Sequence, residues 1–184
     1  MPAKAKLTTQ LKMVICVMLI FSIIEIVNIL CGRCLNTVGN YPRHIFALTG
    51  IFSSHFIHGD FNHFASNIVT LGIFYFLMLQ YGTKRTLYVS VFIVMCTGIL
   101  VWLFARPAMH IGASGLIYGY LGFLILAGIM STRIKLLGIS LLVAFFYGGL
   151  IFGLLPNRPF VSWESHLFGF LSGLIAAKLW TKSR

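Results

Sequence analysis

The sequence predicts an all-α membrane protein in which six transmembrane helices form one compact bundle. Hydrophobic residues make up 59% of the 184-residue chain and charged residues only 9%, a composition that excludes an ordinary soluble domain. The apolar residues are gathered in runs whose length suits a bilayer crossing of about 20 residues. The basic residues lie in short clusters between these runs, which is the charge pattern of a multi-pass membrane protein.

The predicted spans cover approximately residues 13–30, 63–80, 86–104, 114–130, 136–155 and 163–180. A short basic tail without a small-residue cleavage site precedes the first span, so we expect that span to stay uncleaved. Residues 31–62 are too polar to span but contain apolar clusters, which predicts a long outer loop with interfacial helical pieces. The fourth run reaches only about 25 Å at roughly 1.5 Å per residue, so its first residue is expected below the membrane surface. We expect residues 1–184 to form a single transmembrane domain.

The distribution of Lys and Arg predicts that both termini are cytoplasmic. On this topology ten of the 14 basic residues lie inside, namely Lys4, Lys6, Lys12, Lys84, Arg85, Arg133, Lys135, Lys178, Lys182 and Arg184. Four lie outside: Arg33, Arg43, Arg106 and Arg158. The net charge of +11 therefore indicates membrane topology and lipid contact, with no nucleic-acid partner. Six spans with this bias suit a bacterial inner membrane.

A serine between two glycines, within residues 111–118, is the first candidate for chemistry. Ser114 would stand at the N-terminus of the fourth span, where unpaired N–H groups and the helix dipole stabilise an oxyanion. Gly112 allows a tight turn before it, and Gly115 allows a second helix to approach. Alone, such a serine would more often be a helix cap.

A histidine at similar depth supplies a general base. His166 lies near the start of the sixth span, and small residues recur on one face of that span at Ser165, Gly169, Gly173 and Ala177. Gly115 and Gly119 give the fourth span a matching face. Two such faces allow close contact and could bring the Ser114 hydroxyl to the imidazole.

Three further polar side chains fall near the same helix ends. His63 and Asn67 are four residues apart, so they point the same way from the second span. Both can donate hydrogen bonds to an oxyanion, together with the Ser114 N–H. Tyr118, one turn after Ser114, could stack on the imidazole. Each alone is more often an interhelical hydrogen-bonding residue, but their joint placement favours a catalytic site.

The chain contains HFASN at 63–67, GASG at 112–115, and His166 followed by Gly169 and Gly173. These three motifs, in this order, resemble those of the rhomboid family of intramembrane serine proteases. The chain is most similar to the six-span bacterial GlpG type, and we expect it to lack the cytoplasmic domain of many such proteins. Ser165 stands where Ala is usual.

The resemblance implies cleavage of transmembrane protein substrates without a metal or cofactor. It implies that Ser114 is the nucleophile and His166 the base of a dyad. It implies an oxyanion hole formed by His63, Asn67 and Ser114, with Tyr118 supporting the histidine. For His58 it implies a structural role.

The composition speaks against other intramembrane protease chemistries. An aspartyl mechanism needs two Asp residues and the chain has only Asp60, and no HExxH string occurs. His55, His58 and His63 with Asp60 form a metal-like cluster, so a zinc site in the loop stays a weaker alternative. A non-enzymatic, rhomboid-like adaptor that binds transmembrane helices is an alternative of another class, although the resemblance implies that such adaptors lack the serine or the histidine. A small transporter subunit is a further alternative, although transporters usually place acids or broken helices at the midplane.

Four other features of the sequence carry expectations. Glu25 is expected to play a structural role near the interface. Glu164 is two residues from His166 and so points to another face of the helix. Cys31 and Cys34 form CGRC, which predicts a disulfide or no bond rather than redox chemistry. Substrate access is expected beside the fifth span and the loop at residues 156–162, because Gly148, Gly149 and Gly153 soften that segment.

Overall fold

The structure is a computed structural model that describes residues 6–156 and 161–181. Lys4, Arg158, Lys182 and Arg184, which contribute to the predicted topology, lie outside the described residues, as does the centre of the loop at 156–162. The described residues form seven α-helices: α1 (Leu7–Leu30), α2 (Gly50–Ser53), α3 (Phe61–Leu79), α4 (Thr83–Phe104), α5 (Ser114–Met130), α6 (Ile134–Tyr147) and α7 (Trp163–Trp180).

Two of the predicted spans differ by more than three residues from the helices that form. α1 begins at Leu7, six residues before the predicted start at 13, because a helix can continue past the apolar core while long polar side chains reach the interface. α6 ends at Tyr147, and the chain continues as a 3-10 helix over Gly148–Leu154. Adjacent glycines at 148 and 149 explain this change, since glycine disfavours the α-helix. The fourth and sixth predicted spans coincide with α5 and α7.

The helices present the surface that a bilayer requires. Within the described residues, four segments are long and apolar enough to cross a membrane: Leu7–Leu30, Phe61–Leu79, Thr83–Phe104 and Ile134–Leu154. α5 is apolar but shorter, with 17 residues. Large apolar side chains are exposed on the outer faces, including Ile15, Leu19, Ile23, Ile26, Leu87, Val91, Leu141 and Phe145. Apolar helices with such exposed faces are stable in lipid, so the protein is a multi-pass helical membrane protein.

α5 is the central helix and packs backbone to backbone against α7. Twelve of its residues are buried, including every residue from 115 to 124. A Cβ at Gly169 would overlap the Gly115 carbonyl oxygen, and a Cβ at Gly173 would overlap that of Gly119. Only glycine permits helices to approach this closely. These contacts fix the first turns of α5 against α7.

The loop between α1 and α3 contains short helical pieces, as the sequence indicated. They are 3-10 helices at Cys34–Val38, Ile45–Ala47 and Ser54–Phe56, together with α2. A disulfide joins Cys31 to Cys34, which resolves the alternative left open by the sequence. Asn40 pairs with His110 through two backbone hydrogen bonds of 2.9 and 3.1 Å. The loop is thereby tied to the segment that leads into α5.

Candidate active site

A cavity of about 940 Å³ opens beside the N-terminal ends of α3, α5 and α7. All five polar or aromatic residues that the sequence singled out line it: His63, Asn67, Ser114, Tyr118 and His166. The predicted glycines lie behind them, with Gly112 in the turn before α5 and Gly115, Gly169 and Gly173 in the contact between α5 and α7. Three separate stretches of sequence thus meet in one place.

Ser114 is the first residue of α5 and is half-buried, whereas the ten residues after it are buried. The turn before it needs a glycine, because residue 112 has a φ of +127°, a value that residues with a side chain rarely adopt. A Cβ at Gly112 would also lie 2.7 Å from the His63 ring and 3.6 Å from Ser114 Oγ. As a first helical residue, Ser114 has a backbone N–H without a partner inside the helix. That N–H is available to a ligand in the cavity.

Two hydrogen bonds fix the backbone just before Ser114. The Gly112 N–H donates to the Ser54 carbonyl oxygen at 2.9 Å. The Ala113 N–H donates to Nε2 of His58 at 3.3 Å. Both partners come from the loop between α1 and α3, so that loop sets the position of the serine.

His166 is held by its ring face and by one ring nitrogen. The ring stacks on Tyr118 with centroids 4.1 Å apart and an interplanar angle of 8°. Nδ1 lies 2.9 Å from the Gly153 carbonyl oxygen. Because a carbonyl only accepts, Nδ1 carries the proton, and Nε2 of the neutral ring is left with a lone pair. The arrangement provides a base with a fixed tautomer and orientation.

His63 and Asn67 lie in the first turns of α3. Oδ1 of Asp60 caps this helix by accepting the His63 N–H at 2.9 Å. This bond lowers the pKa of the exposed Asp60 carboxyl below its usual value. Asn67 Nδ2 donates to the His63 carbonyl oxygen at 2.7 Å, which uses one of its two amide hydrogens. The other hydrogen can serve a ligand.

The loop histidines have separate partners rather than a common centre. His55 Nε2 lies 3.1 Å from the Val94 carbonyl oxygen, and burial lowers the pKa of His55 to about 4. Burial, with the neighbouring His63 and Arg33, lowers the pKa of His58 to about 3. Both rings are neutral at neutral pH. Among the described residues, no three His, Cys, Asp or Glu side chains are grouped to hold a metal ion.

Glu25 and Glu164, which the sequence analysis did not assign to catalysis, both form ion pairs. Glu25 Oε1 lies 2.6 Å from Arg33 Nη1. Glu164 Oε1 lies 3.6 Å from Arg106 Nε, so it is engaged with the segment between α4 and α5. Neither carboxylate orients the imidazole of His166.

The sequence reasoning missed two parts of the site. Gly153 supplies the carbonyl that fixes His166, and a Cβ there would overlap the Tyr118 hydroxyl; a backbone role of this kind leaves no motif. His110 lines the cavity with Nδ1 2.5 Å from Ser162 Oγ. Its place in the segment that leads into Ser114 was the available signal.

These features define a class: a multi-pass helical membrane protein with a serine and an oriented histidine in one cavity. A family model described as the Rhomboid domain matches residues 45–183. The chain therefore belongs to the rhomboid family, whose members are intramembrane serine proteases. The chain is also similar to an uncharacterized protein of Mycobacterium tuberculosis, with 32% identity over 166 residues that cover 85% of this chain and 69% of the relative. An uncharacterized protein of Mycobacterium leprae is 31% identical over 171 residues, 88% of this chain and 68% of the relative.

Proposed function

We propose that this protein is a serine endopeptidase that hydrolyses peptide bonds in or near the transmembrane helices of membrane proteins. The observation that carries the proposal is the state of His166, which shares a cavity with Ser114 and has its Nδ1 bound to the Gly153 carbonyl. That bond leaves Nε2 free to accept a proton. Membership of the rhomboid family supports the same activity.

In the proposed reaction Ser114 Oγ attacks the scissile carbonyl and His166 Nε2 accepts the hydroxyl proton. The imidazole then returns the proton to the leaving amine, and water hydrolyses the acyl-enzyme by the same steps in reverse. The Ser114 N–H, the His63 ring and the second hydrogen of the Asn67 amide are the donors for the oxyanion. No third acid is required, since the ring is oriented by stacking and by a carbonyl.

The test is cleavage of a transmembrane-helix reporter in liposomes by the native protein, Ser114→Ala and His166→Ala. We expect both variants to lose cleavage by a factor of at least about 10³ while keeping the native melting temperature. Cleavage that survives Ser114→Ala would overturn the mechanism. Absence of cleavage by every form would instead favour a helix-binding adaptor or a transporter subunit.

Substrate access is proposed to occur beside the 3-10 helix Gly148–Leu154, opposite α3. Phe152 and Gly149 line the cavity on one side, and Ser66 and Thr70 line it on the other. At the opposite end of α6, Lys135 Nζ donates to Gln80 Oε1 at 3.0 Å, and Gln80 Nε2 donates to Gln10 Oε1 at 3.1 Å. α6 is thus bonded to the end of α3 at one end, and at the other end none of residues 144–156 is buried, although Tyr147 packs edge-on against Phe74 of α3. Its 3-10 end is the part that can move aside.

A crosslink between Phe152→Cys and Thr70→Cys tests this route. A short bifunctional reagent should abolish cleavage of the membrane reporter, and each single cysteine variant treated alike serves as the control. Undiminished cleavage after complete crosslinking would rule out access at this place.

The number of spans, their orientation and the location of the protein are part of the same proposal. We propose six spans, both termini in the cytoplasm, one transmembrane domain and location in a bacterial inner membrane. Attachment of a reporter enzyme to either terminus, read from each side of the membrane, tests the orientation.

A further inference from the structure

The disulfide-closed loop at Cys31–Cys34 directly follows α1, does not line the cavity and has no part in the proposed reaction. Both cysteines are exposed. Between them, Gly32 and Arg33 have φ of +66° and +67°. A left-handed conformation is unfavourable for arginine, so the short covalent ring helps to keep Arg33 in it.

The left-handed conformation delivers the Arg33 side chain to two buried acceptors. Nη1 donates to Glu25 Oε1 at 2.6 Å and to the His58 carbonyl oxygen at 3.2 Å. Asn28 Nδ2 donates to the same carbonyl at 3.2 Å, and Asn28 Oδ1 accepts the Leu35 N–H at 3.0 Å. The backbone of His58 is therefore held by the loop that the disulfide closes.

His58 passes this constraint to the catalytic serine. Its ring is 1% exposed, packs edge-on against His63 with centroids 5.1 Å apart, and accepts the Ala113 N–H through Nε2. Ala113 directly precedes Ser114. The contacts run without a break from the disulfide through Arg33 and His58 to the residue before the nucleophile.

We propose that Arg33 is a positioning residue for Ser114, and that the Cys31–Cys34 disulfide makes this positioning sensitive to thiol reductants. The inference rests on the proposed function. The low pKa of His58, to which the Arg33 charge contributes, keeps its Nε2 an acceptor for Ala113 at physiological pH. Loss of the Arg33 contact removes one of the two side-chain donors to the His58 carbonyl and frees the histidine to shift.

The reductant is a dithiol. One of its thiolates attacks one protein sulfur, the Cys31–Cys34 bond breaks, and a mixed disulfide forms. The second thiol of the reagent then closes a cyclic disulfide. Two electrons and two protons pass to the protein, which is left with two cysteine thiols.

The experiment compares the oxidised protein with protein reduced by dithiothreitol, with reduction verified by mass. The first measurement is hydrogen exchange at the Ala113 amide, which does not depend on proteolysis. We expect faster exchange at Ala113 after reduction. We also expect kcat for the membrane reporter to fall about tenfold with KM unchanged, within the 10²-fold that a misplacement of about 1 Å can cost.

Matched variants identify the cause. Cys31→Ser with Cys34→Ser should show the low kcat without reductant and no further response to it, whereas Cys16→Ser with Cys96→Ser should respond like the native protein. Arg33→Ala should lower kcat with the disulfide intact, and Arg33→Lys should restore part of the loss. Glu25→Gln, which leaves the His58 contact available to Arg33, should stay near the native kcat.

Two results would overturn the inference. One is unchanged Ala113 exchange in fully reduced protein, whatever the activity. The other is a global loss of helix content on reduction, which would show that the disulfide only holds the fold. If Ala113 exchange responds while no form cleaves the reporter, the positioning path stands and the proposed proteolysis fails, so the two failures are distinguishable.

Discussion

The contact between α5 and α7 and the far end of α6 differ in how they are held. Every residue of α5 from 115 to 124 is buried, and its backbone touches that of α7 at Gly169 and Gly173. From residue 144 to residue 156, all of them described, no residue is buried. Ser114 and His166 both belong to the tight contact, whereas the cavity wall opposite α3 belongs to the loose segment.

On the proposed function, this difference would allow one small bundle to combine a rigid catalytic site with substrate access. Catalytic geometry tolerates only small displacements, and the glycine contacts supply that rigidity where the serine and histidine stand. A weakly packed segment opens at low free-energy cost, and it lies where a substrate helix could approach. The two requirements are met mostly by different segments, but the segments are coupled, because the Gly153 carbonyl of the loose segment holds Nδ1 of His166.

Filling the tight contact is expected to destabilise the protein strongly. Gly169→Ala would place a Cβ on the Gly115 carbonyl oxygen and should lower the free energy of unfolding by about 3 kcal/mol. Gly138→Ala in α6 is the control, because no atom lies within 4 Å of the Cβ position there, and it should stabilise by about 0.5–1 kcal/mol. Thermal unfolding in micelles, followed by circular dichroism, gives both values. Equal effects at the two positions would remove the contrast between the regions.

Acid should lower the free energy of unfolding, because His55 and His58 are buried as neutral rings in the loop next to the start of α5. In the folded protein the pKa is about 3 for His58 and about 4 for His55. In the unfolded chain each imidazole has its usual pKa of about 6.5, so the unfolded chain takes up protons first as the pH falls. Stability is therefore complete above about pH 6.5 and falls toward pH 4, by about 1.4 kcal/mol per pH unit for each imidazole. His58→Gln, which keeps an acceptor for Ala113, should reduce the slope by the contribution of one imidazole. A melting temperature that stays constant between pH 7 and pH 4 would contradict this reading of the buried rings.

The sequence predicted the tight region better than the loose one. Small residues at helical spacing and a serine between glycines are properties of the side chains themselves, so the partners Gly115, Gly169 and Gly173 could be named in advance. The bounds of α5 and α7 followed from their apolar runs. Small residues at helical spacing are compatible with few packing arrangements, and this is why they predict which helix faces make contact.

The parts that escaped prediction depend on backbone atoms and on local conformation. The carbonyl of Gly153 that fixes His166 could have come from any residue. The change of α6 to a 3-10 helix at Gly148 was expected only as softness, because propensity does not specify which alternative helix forms. The use of His58 Nε2 by the Ala113 N–H required the path of a 30-residue loop, which hydrophobic periodicity does not encode.

The smallest effect is expected at Tyr118, which, like His166, joins the two regions. Tyr118 belongs to α5, stacks on His166, and donates its hydroxyl to the Leu150 carbonyl oxygen at 2.9 Å. Tyr118→Phe keeps the ring and removes only this hydrogen bond, a loss of about 1 kcal/mol. Hydrogen exchange should therefore rise at residues 150–154 and stay unchanged in α7, while kcat changes by less than about fivefold. Tyr118→Leu also removes the stacking partner of the imidazole and should lower kcat further. If Tyr118→Phe instead raised exchange along α7, the two regions would be one cooperative unit, and access could not be separated from catalytic geometry.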